Sequence, residues 1–200
     1  HKTCRDLMEQ RGPASLESAR KQNQIFKQVK LVYPQMIFES GTLSLRVGKK
    51  NLILMQTPGH STDGISILVE EDRVLFAGDA FMPIPCMIGG DIDELAESIK
   101  MIGGMGLENI VQGHGDIILR GEIEEAVKNN LAYLTTLRKF IKTATKKRNP
   151  YEYLVNIDIE SCGKSRVLLG GLADELHKRN VRYLFKLEEK AGEVAVLVEE

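Results

Sequence analysis

The sequence predicts a mixed α/β chain, and three observations carry that expectation. Short apolar or alternating runs between glycine-containing turns fill residues 36–77, which is strand patterning. From Asp91 onward the apolar residues recur at helical spacing. Three turns that hold one histidine or aspartate each, Thr57-Pro58-Gly59-His60-Ser61, Gly78-Asp79-Ala80-Phe81 and Gly113-His114-Gly115, follow strand-like runs. Strand ends that collect at one edge are where α/β folds place their sites.

Residues 2–11 and 14–29 have a weak helical pattern (Leu7, Met8, Leu16, Ile25, Phe26, Val29) broken at Gly12-Pro13, so one or two surface helices are expected. Met36-Ile37-Phe38, Leu43–Val47 and Leu52–Met55 then read as strands, with Ser40-Gly41 and Gly48–Asn51 as turns. Ile65–Val69 and Val74–Ala77 flank Glu70–Arg73 as a hairpin, which implies antiparallel pairing. Asp91 with Glu94 has the spacing of an N-cap and its capping-box partner, opening a helix to about Ile102 that Gly103-Gly104 ends.

Asn109–Gln112 is a short strand leading into Gly113-His114-Gly115. Residues 122 to about 147 set Ile123, Val127, Leu131, Leu134, Leu137 and Ile141 on one face of a long amphipathic helix. Asn149-Pro150 breaks it, because proline disfavours the α region in the residue before it. A core of residues 1–148 and a helical C-terminal segment of residues 149–200 are expected. Leu168, Leu169, Leu172, Leu176, Val181, Leu184 and Leu187 form the segment's apolar face.

Composition excludes several classes. With 27 Lys and Arg against 28 Asp and Glu, the net charge is -1, so no overall field favours nucleic acid or an anionic membrane. The basic run Lys142–Arg148 sits at a helix end, where cations complement the dipole. Cys4, Cys86 and Cys162 are odd in number and show no Cys-x-x-Cys spacing, which argues against a disulfide framework or a zinc ribbon and points to a reducing, cytoplasmic setting. No apolar run reaches membrane-span length, and no signal peptide is visible, although the first residue is His1 rather than Met.

Each candidate ligand has a chemical reason and a plainer competitor. Pro58 and Gly59 fix the backbone before His60, which suits a preorganised ligand; a loop histidine that bonds locally explains an isolated Pro-Gly-His equally well. Asp79 ends an apolar strand, where a carboxylate needs a cation or backbone donors, and its two oxygens can serve two ions; a turn aspartate capping its own backbone is the alternative. His114 lies between glycines that leave room for a ligand to approach, or simply in a turn. Three strand-end ligands in this order make coincidence a poor joint explanation. Thr62 and Asp63, beside the first turn, are candidates to orient His60.

Other motifs carry less. Gly163-Lys164-Ser165 lacks the first glycine of a phosphate loop and reads as a helix start. His177 reads as an exposed or interface histidine, with a place in the wall of a substrate pocket as the alternative, and Ser61 has no nucleophile elbow around it.

The order Thr-Pro-Gly-His-Ser, Gly-Asp-x-Phe, Gly-His-Gly resembles the metallo-β-lactamase superfamily, in its generic branch of glyoxalase II-like and lactonase-like hydrolases. The resemblance covers roughly residues 1–140. It implies an αββα sandwich with a metal site at one edge of two sheets, N-terminally incomplete here and extended by the helical C-terminal segment. It implies that His60 binds a first zinc, that Asp79 bridges two ions and acts in catalysis, and that His114 binds the second. The family's other ligands belong to a His-x-His-x-Asp-His loop, which these 200 residues do not contain and which is expected upstream of His1. His1 itself reads as structural.

The expected activity is therefore that of a zinc-dependent dinuclear hydrolase, in which metal-bound hydroxide attacks an ester, thioester, lactone or phosphodiester. Iron or manganese also suits such a ligand set. This chain alone is expected to be weak or inactive. The expected partner is a small-molecule substrate, with no nucleic acid and no membrane. A homodimer contact through the C-terminal segment is the one protein contact anticipated. The rival expectation is a non-catalytic scaffold or regulatory protein that keeps the fold, supported by the absent histidine cluster.

Overall fold

The computed structural model describes residues 1–198, with side chains through residue 191. Six strands form one sheet in sequential order: β1 (Thr42–Val47), β2 (Lys50–Gln56), β3 (Ile65–Val69), β4 (Val74–Gly78), β5 (Asn109–Gln112) and β6 (Ile118–Leu119). Of the layers implied by the family resemblance, the described residues supply this sheet and the helices against it.

The first four strands pair antiparallel, as the hairpin turns predict. Helix α2 (Ile92–Gly104) then crosses over, so β5 pairs parallel to β4. One consequence fixes the site. Strands β2, β4 and β5 all run in the same direction, and their C-terminal ends meet at one edge.

The sheet has two unlike faces. Leu68, Leu75 and Ile110 lie in register on one face and join Ile99, Ile102, Leu134 and Leu137 of the helical layer in the core. Leu75, Ile99, Ile110 and Leu137 are fully buried, each contributing roughly 1.5–3 kcal/mol relative to exposure. Leu54, Ile67, Phe76 and Val111 line the opposite face, which is only partly covered; Phe76 is 48% exposed.

Asp91 caps α2 as expected, its carboxylate accepting from the amides of Asp93 and Glu94. Helix α3 (Ile123–Ala144) is followed by α4 (Pro150–Val155) and α5 (Leu172–Val198), with short 3-10 turns at Glu160–Cys162 and Leu168–Gly171. One apolar core runs without interruption from Leu75 to Phe185, so α5 packs into the same interior as α3.

Three local expectations are corrected. Helix α1 (Lys2–Gln22) runs straight through Pro13. Proline removes the bond to the Glu9 carbonyl, but both residues are exposed, so water can satisfy that oxygen. Met36-Ile37-Phe38 is not a strand, for no neighbour offers it a ladder; instead Phe38 accepts from the Lys2 amide and packs edge-on against His1. Gly163-Lys164-Ser165 starts no helix: Gly163, at φ +77°, closes the Glu160–Cys162 turn. His1 is the N-cap of α1 and bonds the Glu39 carbonyl at 2.9 Å, a structural role.

Candidate metal centre

The turn after β2 is assembled from the backbone outward. Thr57 is fully buried, its hydroxyl 2.9 Å from Ser66 Oγ, which in turn donates to the Ala77 carbonyl. Gly59 adopts φ +118°, and a Cβ there would overlap the backbone of Leu95 at the start of α2. Glycine is therefore required on two counts. Ser98 of α2 donates to the Pro58 carbonyl at 2.7 Å, and the Ile88 amide donates to the His60 carbonyl. The turn is thus gripped between α2 and the loop of residues 81–90.

Asp79 follows β4 directly, after Gly78 at φ +53°. His114 follows β5, and the Gly113 amide beside it donates to the Gly78 carbonyl at 2.9 Å, tying the two strand ends together. A Cβ on Gly113 would overlap Asp79 Oδ1.

The three predicted ligands converge. His60 Nε2 is 3.4 Å from Asp79 Oδ2, and His114 Nε2 is 3.7 Å from Asp79 Oδ1, so the carboxylate is shared by two imidazoles with one oxygen toward each. The side chains grade outward, with His60 13% exposed, Asp79 39% and His114 63%. Beside them opens a cleft of about 200 Å³, walled by Thr57, His60, Ser61, Asp63, Asp79 and Ala80.

His60 has a defined tautomer. Its Nδ1 lies 2.6 Å from the Cys86 carbonyl oxygen, which can only accept, so Nδ1 carries the proton. In the neutral ring Nε2 is then a bare lone pair facing a carboxylate oxygen. Two acceptors aimed at each other repel unless a cation lies between them or the ring is protonated. A nitrogen and an oxygen so disposed suit zinc. Among the described residues, no group of three or more His, Cys, Asp or Glu is arranged to hold one ion. One imidazole lies on each side of Asp79 among the described residues, so each of two ions would find one histidine and the shared carboxylate.

The bond that orients His60 comes from the Cys86 backbone. Thr62 is exposed, and its carbonyl accepts from Gln56. Asp63 lies in the cleft wall, where burial raises its pKa but bonds from Ser61 and Cys4 outweigh that and hold the carboxylate below its ordinary range. Burial and the same contact push the Cys4 thiol up.

His177 is corrected outright: it is 1% exposed, not on the surface. Its Nε2–H donates to the Ile157 carbonyl at 3.0 Å, and Nδ1 accepts from the Tyr133 hydroxyl at 3.1 Å. Asn180, one turn on, donates to the Tyr133 oxygen and the Pro85 carbonyl and accepts from the Met87 amide. Sequence reasoning missed Asn180, Tyr133 and the Cys86 carbonyl. A signal existed for the first: Ala173, Leu176, His177, Asn180, Val181 and Leu184 lie on one helical stripe, and a polar residue on an apolar stripe must have a buried partner. A backbone carbonyl leaves no sequence signal.

Comparison with known proteins gives the family. Residues 16–139 match the model of the metallo-beta-lactamase superfamily, and the chain belongs to that family. The beta-lactamase-like protein 2 homolog of Caenorhabditis elegans is 27% identical over 93 residues, 46% of this chain and 32% of that protein. Thioesterase pkgB of Emericella nidulans is 33% identical over 63 residues, 32% of this chain and 18% of that protein. The matches thus span at most about a third of these relatives' length. Among solved structures, the inverting sec-alkylsulfatase Pisa1 of a Pseudomonas species superposes with a TM-score of 0.57 at 15% identity, over 78% of this chain and 27% of that one; the likeness is one of fold.

Proposed function

We propose that the chain contributes half of a dinuclear zinc site to a hydrolase, with a thioester as the favoured substrate class among ester, thioester, lactone and phosphodiester. The observation that carries this is Asp79 presenting one oxygen to each of His60 and His114. Zinc, when bound, supplies Lewis acidity and a water acidic enough to attack at neutral pH. The residues of the chain do the rest. His60 offers its Nε2 lone pair, His114 turns its Nε2 toward the other carboxylate oxygen, and Asp79 stands between them. The Cys86 carbonyl keeps the proton of His60 away from the binding face. The adjoining cleft receives the acyl end of a small substrate. Thioesterase names among the relatives support the substrate class. Iron or manganese remains compatible with the donor set.

The two free buried cysteines and the half-buried third fit a reducing compartment, and among the described residues no helix is long and apolar enough to cross a membrane. A scaffold or regulatory role is the second reading, favoured by the described residues offering each ion only one histidine besides the shared Asp79. Hydrolysis of an acyl-N-acetylcysteamine thioester by the native gene product at saturating zinc, with metal content measured alongside, tests the first. Turnover that vanishes on chelation and in Asp79→Ala is expected. Turnover indifferent to both removes the metal hydrolase reading, and no turnover with no zinc bound favours the scaffold.

A further inference from the structure

The loop of residues 81–90 is held from behind at four backbone points. Asn130 of α3 donates to the Met82 carbonyl at 3.0 Å, Asn180 of α5 takes the Pro85 carbonyl at 2.7 Å and the Met87 amide at 3.2 Å, and the Tyr183 hydroxyl donates to the Gly90 carbonyl at 2.8 Å. Asn180 is fully buried and brackets a single residue, Cys86. The carbonyl of Cys86 is the one that receives the Nδ1 proton of His60.

We propose that Asn180 is a positioning residue for the metal site: by clamping Pro85 and Met87 it fixes the Cys86 carbonyl, and through that carbonyl it sets the orientation and tautomer of His60. The hydrogen-bond directions leave no slack in this path. A carbonyl forces Asn180 to point its amide nitrogen at Pro85, which leaves its oxygen for the Met87 amide. Both carboxamide hydrogens are used, the second on the Tyr133 oxygen, and the Tyr133 hydroxyl in turn donates to His177 Nδ1. With every group satisfied, the clamp cannot rotate without stranding a buried donor or acceptor. Helix α5 thereby reaches the site without touching it. The value of the clamp for metal binding rests on the proposed zinc reading, whereas the tautomer does not.

The test is long-range proton–nitrogen NMR on the metal-free 200-residue chain in mildly alkaline buffer. The wild type is expected to show the Nδ1–H tautomer of His60, and Asn180→Ala a shift toward Nε2–H, the form that free histidine prefers. Asn180→Asp keeps the acceptor for Met87 and loses the donors to Pro85 and to the Tyr133 oxygen; it is expected to show a smaller shift than the alanine variant and serves if that variant does not fold. Tyr133→Phe loosens the same buried network while leaving both Asn180 bonds to the loop, so its His60 tautomer should match the wild type.

Zinc affinity of the Asn180 variants should fall about 10–100-fold, the usual loss when a ligand's outer support is removed. The inference is overturned by an Nε2–H tautomer in the wild type, by an unchanged tautomer in both Asn180 variants, or by an equal shift in Tyr133→Phe. Failure of the wild type to bind zinc would count against the metal site alone, since the tautomer is read without metal.

Discussion

Gly113 is packed against Asp79 so closely that a single methyl group at Gly113 would overlap the carboxylate oxygen facing His114. The two residues end neighbouring parallel strands, and the Gly113 amide completes the junction by donating to Gly78. The same methyl would lie 2.8 Å from the Gly78 carbonyl carbon and 2.9 Å from the Asp79 amide nitrogen, so Gly113→Ala should displace Asp79 together with the strand junction. Zinc affinity is expected to fall at least ~10-fold, a loss of the size seen when a ligand's support is removed, with a lowered thermal midpoint beside it. Calorimetric zinc titration of the variant beside the wild type checks it.

Alanine substitution of the three ligands should rank them. Asp79 faces both imidazoles, so Asp79→Ala is expected to cost more thioester turnover than His60→Ala or His114→Ala, each of which leaves one imidazole–carboxylate pair intact. Assays at saturating zinc with metal content measured alongside decide the order, and an Asp79→Ala variant as active as the wild type would contradict it.

His177→Ala should act on stability rather than on chemistry. It strands the Ile157 carbonyl and the Tyr133 hydroxyl and removes a buried ring, at a cost of about 2–4 kcal/mol. A drop in the urea midpoint with little change in slope is the expected result.

The same histidine contributes a pH dependence of known sign. Burial lowers its folded pKa below 6.5, outweighing the opposing pull of the Ile157 bond and of Asp174, Asp158 and Glu160. The unfolded state thus takes up a proton first as pH falls. Stability from this group is complete above about pH 6.5 and declines as pH drops toward the folded value. His177→Gln should flatten that part of the profile, measured as urea midpoints across the range.

Two glycines, one packed on the first turn of α2 and one ending that helix, should behave oppositely. Gly59→Ala combines a positive φ with overlap on Leu95, so a loss of more than ~2 kcal/mol is expected. Gly104, the last residue of α2, has nothing within 4 Å of a built Cβ, and Gly104→Ala should stay within about 0.5 kcal/mol of the wild type or above it. Thermal midpoints of the pair suffice.

Local rules made much of this protein legible in its sequence. The strands from Thr42 to Gly78 follow from period-two patterning and turn glycines, the Asp91 cap from a carboxylate three residues ahead of Glu94, and His60, Asp79 and His114 from their places just beyond strand ends. Each depends on neighbours a few residues away. Tertiary structure decided what depends on distant partners. Met36–Phe38 has strand composition but no ladder to join, Pro13 is tolerated because water reaches the carbonyl it frees, and His177 is buried because Tyr133 and Ile157 satisfy it. The bond that orients His60 is the plainest case. It runs from Asn180 through the backbone around Cys86, and a backbone carbonyl is the same in every residue type; only the packing of α5 against the loop could select which one meets the ring.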